Sequence, residues 1–270
     1  MKINNQSMVS FSVNRYQKNE TKIQKSLDHL STGLSIGKAN ANASGVAVSE
    51  KMRAQIRGIE QAQRNMQDGY SALEVADSGL NHVNSLLQRA KELSVLSAND
   101  TLNNEDREKA QVELDELLQG INDTANKMEF NTKAILGERI PLLIMVGANP
   151  GQHIKIDLVR TSTTELGLDS ASLKTQEDAN TLISKIDDAI TKIADHLTTI
   201  GAHQKSIEHH LDNAEVYANN LTKSFSMLTD ADMAKEYLNF SVANIRQKGD
   251  EMLIKHVNQN AHDVLKILNV

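Results

Sequence analysis

The string Gly33-Leu-Ser-Ile-Gly37 matches G-x-S-x-G, the pattern that exposes a serine nucleophile on a strained strand-to-helix turn. That chemistry needs a strand before the serine and an oxyanion site beside it. Here Ser35 follows a heptad-spaced, helix-like run, and no triad context comes after it. The segment reads as a helix-ending loop. Of nine histidines, His196, His203, His209 and His210 lie close together. A helical metal pair wants a spacing of three or four, as in H-E-x-x-H, which the chain lacks. His196, His203 and His210 are seven residues apart, about 10 Å along a helix, too far to share one ion. They read as a solvated or interface edge, so no metal, cofactor or catalytic residue is expected. Cysteine is absent, which removes disulfides, thiolate zinc sites and a cysteine nucleophile.

With no reaction to position, the chain's periodicity carries its meaning. Val9, Val13, Tyr16, Ile23, Leu27, Leu30 and Leu34 alternate steps of four and three, with one slot taken by Glu20. That spacing puts a narrow apolar seam on one helix face. After a break between Gly37 and Gly45 it resumes as Ile59, Ala62, Met66, Gly69, Leu73, Ala76, Leu80, Val83, Leu87 and Ala90. A third helix is expected from about 104 to 127. The longest seam runs from Ile186 through Ile193, Ile200, Ile207 and Ala214 to Leu228 without a slip. Thr229-Asp230 reads as a break, and a last helix is expected from about 232 to 268. So narrow a stripe, so long, demands partner helices.

One stretch looks like sheet: residues 140–146 and 153–158, joined by the turn Gly147-Ala-Asn-Pro-Gly151. Both prolines sit here, where a missing N–H costs least. Only 3% of the 270 residues are aromatic and none is tryptophan, which disfavours an all-β core. A net charge of −6 disfavours a nucleic-acid partner of the usual basic kind. No apolar run reaches the roughly 18 residues of a membrane span. No apolar h-region marks a cleaved signal peptide at the amino terminus, and these signs alone would suggest a cytosolic protein.

From Leu30 the chain reads LSTGLSIGKANANASGVAVSEKMRAQIRGIEQAQRNMQDGYSALEVADSG. This closely resembles the amino-terminal region of bacterial flagellins: a Leu-Ser-x-Gly-Leu start, an Ala-Ser-Gly corner, then Ser-Glu-Lys-Met-Arg and Gln-Asp-Gly. TDADMAKE (Thr229–Glu236) is similar to that family's entry to its last helix, and Val-Leu-Lys-Ile-Leu to its ending. Gly147-Ala-Asn-Pro-Gly-Gln152 is similar to its inner hairpin turn. The resemblance implies a filament-forming subunit, exported unfolded by the flagellar type III apparatus and located in the filament, which reverses the cytosolic reading. It also implies partners: further copies of the chain, an export chaperone on the carboxyl-terminal helix, and filament cap and junction proteins. Gln88, Arg89, Glu92, Leu93 and Glu113 match a face that packs against neighbouring subunits and is read by the flagellin-sensing Toll-like receptor.

The expectation is therefore a mostly α protein: a long antiparallel coiled-coil bundle with paired terminal helices and one small β-hairpin. Residues 1–44 would form the inner helix and spoke, 45–230 the outer bundle, and 231–270 the pairing inner helix. Assembly of the inner tube would fall to Val9, Val13, Leu27, Leu30, Leu34, Leu238, Val242, Ile245, Val264, Leu265 and Leu268. Departures from the family pattern include Ser35, Ala41-Asn42, Met227 and Ala261, with Asp250, Glu251, Lys255 and His256 in a stretch usually rich in Ala and Gln. They leave room for a minor or specialised flagellin. The alternatives are a hook–filament junction protein and a secreted coiled-coil adhesion protein.

Overall fold

The computed structural model describes the backbone of residues 6–36, 43–137 and 141–268, with side chains over 9–36, 43–137 and 141–259. Four long helices dominate: α1 (Gln6–Thr32), α2 (Ala43–Ser97), α5 (Gln176–Thr229) and α6 (Met233–Leu268), with α3 (Asn104–Lys127) between α2 and the small sheets. Two short hairpins follow α3, β1 (Glu129–Phe130) with β2 (Lys133–Ala134) and β3 (Leu142–Met145) with β4 (His153–Ile156), then a single turn of helix, α4 (Thr163–Leu166). Residues group into two compact units, 55–219 and 1–54 with 220–270, so that α2 and α5 each run through a boundary.

In the unit of residues 55–219 the heptad seam is a true core. Met66, Leu73, Ala76, Leu80, Val83, Leu87 and Ala90 of α2 are fully buried. Burying a leucine stabilises by roughly 1.5–3 kcal/mol, so this row alone outweighs any surface contact nearby. On α5 one seam position per heptad is buried: Ile186, Ile193, Ile200, Ile207 and Ala214. The alternate positions, Ile190, Leu197, Gln204 and Leu211, stay half-buried. Leu114 and Ile121 complete the core from α3. Lys91 on α2 pairs with Asp187 on α5 at 2.5 Å.

Helix ends follow their caps. The Asn103 side chain accepts from the Asp106 N–H at 2.8 Å, with Glu105 and Asp106 in the first turn of α3 and Lys127 in its last, the arrangement a helix dipole favours. The carboxyl end of α2 is capped from outside. Buried Arg107 donates from Nε to the Ser97 carbonyl and from Nη2 to the Asn99 carbonyl, both at 3.1 Å. Two α3 amides hold the returning loop: Asn122 Oδ1 accepts from the Thr163 N–H, and Gln111 Oε1 from the Leu173 N–H.

β3 and β4 pair antiparallel from Leu142↔Ile156 to Met145↔His153, with Ile144 and Ile156 turned inward and Leu143 and Met145 outward. Gly69 is the α2 seam position without a side chain, and a Cβ there would collide with Ile144. Its absence lets the hairpin approach the helix. Two elements correct the single-hairpin expectation: α4, and the hairpin at 129–134 around Asn131-Thr132, both with positive φ. The strand start expected at Ile140 lies outside the described residues.

Candidate functional site

α1 and α6 pair with each other; the buried line on α1 is polar, and the one facing it on α6 buries an acid, Asp250, between Ala243 and Val257. Ser12, Asn19 and Ser26, seven apart on α1, are each 6% exposed. On α6, Ala243, Asp250 and Val257, also seven apart, are buried, with Glu236 one heptad earlier on the same line. Asp250, 1% exposed, has both carboxylate oxygens satisfied. Asn19 Nδ2 donates to Oδ2 at 2.8 Å, and the Arg15 guanidinium lies 3.1 Å from Oδ1. Glu236 sits in a matching notch, accepting from Ser26 Oγ at 3.0 Å and lying 3.4 Å from His29 Nδ1. Burial alone would raise the Glu236 carboxyl, but the hydrogen bond from Ser26 and the adjacent His29 ring more than offset it and hold it below the ordinary range.

The apolar residues expected to drive assembly lie elsewhere on these helices. Leu238 and Ile245 are 64% and 71% exposed, and Val242 and Leu27 are exposed too. Val9, Val13, Leu30 and Leu34 are half-buried. Val264, Leu265 and Leu268 lie on helical backbone, but their side chains fall outside the described residues. Leu238, Ile245 and Met252 are again seven apart, each two positions beyond a member of the buried line. At about 100° per residue that puts them about 200° around the helix, although Leu238, with Val242, still borders the groove shared with Ser26 and His29 of α1.

α1 ends at Gly33, whose φ of +71° makes the left-handed turn natural for glycine. Leu34 then bridges Asp230, with the Ser35 N–H donating to the Thr229 carbonyl at 2.7 Å and the Ala231 N–H to the Gly33 carbonyl at 2.9 Å. Asp232 Oδ1 opens α6 by accepting from the Lys235 N–H. Ser35 thus follows a helix and a backbone latch, the wrong setting for a nucleophile elbow; Gly37 lies outside the described residues.

In the other unit, α2 and α3 bring together most of the outer-face set. Arg89 donates from Nε to Glu113 at 2.7 Å and from Nη1 to Glu92 at 2.9 Å. These bonds, Glu92 first, hold its guanidinium above its usual value. Gln88 is exposed beside them. Leu93 differs from the other four: it is 4% exposed and packs with the core, one turn past Ala90. His196 is half-buried, and its burial lowers the imidazole. Among the described residues no group of three His, Asp or Glu side chains is placed to hold a metal ion.

The polar ladder of α1 and the acids opposite it are not conspicuous in the sequence. Its signal was a second heptad, Ser12-Asn19-Ser26 against Glu236-Ala243-Asp250, hidden because small and polar residues do not score as a seam.

Residues 3–139 match the family model for the bacterial flagellin N-terminal helical region, and residues 183–268 match that for the C-terminal helical region. A flagellin of Halalkalibacterium halodurans is 35% identical over 91% of both chains. A flagellar filament 33 kDa core protein of Treponema phagedenis is 34% identical over 99% of this chain and 100% of its own length. Among solved structures, a Bacillus cereus flagellin superposes with a TM-score of 0.52 at 29% identity, covering 56% of this chain and 88% of that one. A proposed flagellar hook-associated protein from Vibrio parahaemolyticus shares the fold, with a TM-score of 0.58 at 14% identity over 70% of this chain and 99% of its own.

Proposed function

The chain belongs to the bacterial flagellin family, and from that premise we propose that it is a structural subunit that polymerises with copies of itself into a flagellar filament. The observation that carries this reading is the heptad line Leu238–Ile245–Met252, which stays in solvent while Ser12, Asn19, Ser26 and Asp250 are buried. An isolated chain gains nothing by exposing so much apolar surface in register. A helical lattice of identical subunits covers it and recovers about 25 cal/mol per Å² removed from water. Leu27, Val242 and the half-buried Val9, Val13, Leu30 and Leu34 extend that contact surface, together with Val264, Leu265 and Leu268. The role is structural, and no reaction is assigned.

Export by the flagellar type III apparatus to the cell exterior belongs to the same reading, supported by family membership. So does a chaperone that covers the apolar face of α6 before assembly, with cap and junction proteins at the filament ends. Gln88, Arg89, Glu92 and Glu113 form a polar face for neighbouring subunits or for the flagellin-sensing Toll-like receptor. The likeness to a hook-associated protein, at 14% identity, concerns fold alone.

The test is seeded growth. Leu238→Ser with Ile245→Ser should stop elongation and leave the melting of residues 55–219 unchanged. Elongation at the unaltered rate would overturn the assignment of that face. Deleting 231–270 should abolish co-purification with an export chaperone, and unchanged co-purification would count against a chaperone on α6.

A further inference from the structure

We propose that residues 157–160 form a strap that mild acid releases, with the imidazole of His196 beneath it as the group that takes up the proton. The strap and its histidine both belong to the unit of residues 55–219, so the device stands whether or not the chain polymerises.

Pairing of β4 with β3 ends at Ile156, and α4 begins at Thr163. The next backbone anchor after the ladder is the Thr161 N–H, which donates to the Leu136 carbonyl at 3.2 Å. Residues 157–160 between these two points have no regular structure. Their hold on the bundle is side-chain packing. Leu158 and Val159, both half-buried, close a small cavity with Leu80 of α2, Leu136, and the rings of His196 and His203 on α5. The space left inside is about 10 Å³, at the lower limit for a single water. A short segment held by two aliphatic side chains is the kind that opens locally without the rest of the fold.

A neutral imidazole suits that setting, and an imidazolium does not. His196 is half-buried, so one side of the ring meets solvent and gives the proton its route. The other side lines an apolar cavity with no room for a hydration shell, where a charge is costly. Nearby charges do not restore the balance. On α5, Asp195 favours the proton and Lys192 opposes it, and Lys192 Nζ also donates to the Glu165 carbonyl of α4 at 3.1 Å. On the strap, Asp157 is exposed and paired with Lys155 at 2.8 Å, and Arg160 is a further cation. α2 and residues 135–136 bring only aliphatic side chains to the cavity. Burial is the largest influence; it outweighs Asp195 and, with Lys192, lowers the imidazole below its ordinary 6.5. Once the strap opens, the ring is in water and takes a proton at its ordinary value. A lowered folded value contributes stability that is complete above 6.5 and lost as pH falls through the folded one. The strap is therefore shut at neutral pH, and acid shifts it open.

The test is amide exchange in the unassembled full-length chain, read by mass spectrometry at about pH 7.5 and about pH 5.5, the range over which histidine titrates. After correction for the intrinsic rate at each pH, protection at 157–161 should fall several-fold in acid, while α2 from Met66 to Leu87 holds. His196→Gln cannot gain a proton and should remove the response. His196→Leu fills the same space with an aliphatic group and should keep the strap shut at both pH values. His203→Gln should keep the full response. No response in the unaltered chain would overturn the proposal, as would one that survives in both His196 variants. A response lost with His203→Gln instead would place the proton on the wrong ring and overturn it too. Protection lost equally throughout 55–219 would show general acid softening rather than a strap. A strap open at both pH values in His196→Leu would make the ring a packing element, and the assignment would fail.

Discussion

Arg89 and Arg107 show how differently two arginines on one bundle can serve. Arg89 is half-exposed and bridges Glu92 and Glu113 on the surface, where solvent screening leaves an ion pair little effect on stability. Arg89→Ala should leave thermal melting nearly unchanged. If its fork also serves an interface, elongation or receptor activation should weaken by about 1–2 kcal/mol; a large loss of melting temperature with normal assembly would make it a structural residue. Arg107 is buried on the last carbonyls of α2, and charge-assisted bonds of that kind contribute about 1.5–3 kcal/mol each. Arg107→Ala should destabilise the unit by about 2–3 kcal/mol in a urea titration, with filament contacts untouched. The family resemblance placed Arg89 on an outward face, whereas nothing in the sequence singled out Arg107. Arg107 lies in a charged run, Asn-Glu-Asp-Arg-Glu-Lys, that reads as solvated face. Leu93 was legible as apolar, but it sits beside the seam, whose next slots after Ala90 are the buried polar Ser94 and Ser97. Asp250 was visible only as an odd acid among neutral residues, because its partners lie 231 and 235 positions away.

At the scale of elements, the long helices and their ends were legible because heptad spacing repeats and caps are local. α3 and the break at Thr229 fell where spacing and capping put them. The hairpin at 129–134 was not, since its turn is Asn-Thr rather than Asn-Gly and each strand is two residues long. The α1–α6 pair carries two predictions. With few buried apolar side chains, its amides should exchange faster than those of α2 from Ile59 to Leu93 in the unassembled chain; equal protection in a dilute sample would contradict that. The second concerns acid. Glu236 titrates below its ordinary 4.5 when folded. A lowered folded value contributes stability that is complete above the unfolded value and lost as pH falls through the folded one. Helicity followed by circular dichroism should therefore decline as pH drops below 4.5, and Glu236→Gln should remove that component of the decline.

For the whole molecule, the two units divide the physical work. Residues 55–219 have an apolar core of their own, whereas the terminal pair buries Asp250 and three polar residues of α1 beside Ala243 and Val257 and leaves Leu238, Ile245 and Met252 in water. Such a pair is marginal alone and gains its stability from neighbours, which ties the fold of the ends to the state of assembly. Composition and periodicity carried the helical class. Which surface was to be covered, and by what, depended on rotational placements that a pattern of leucines does not encode. The most direct measurement is electron microscopy of the purified full-length chain after seeding or salting out. Long helical filaments of uniform diameter are the predicted result, with Leu238→Ser, Ile245→Ser chains failing to grow beyond the seeds. A chain that stays monomeric, or that only adds a short terminal layer to existing filaments, would contradict the assignment as a filament subunit.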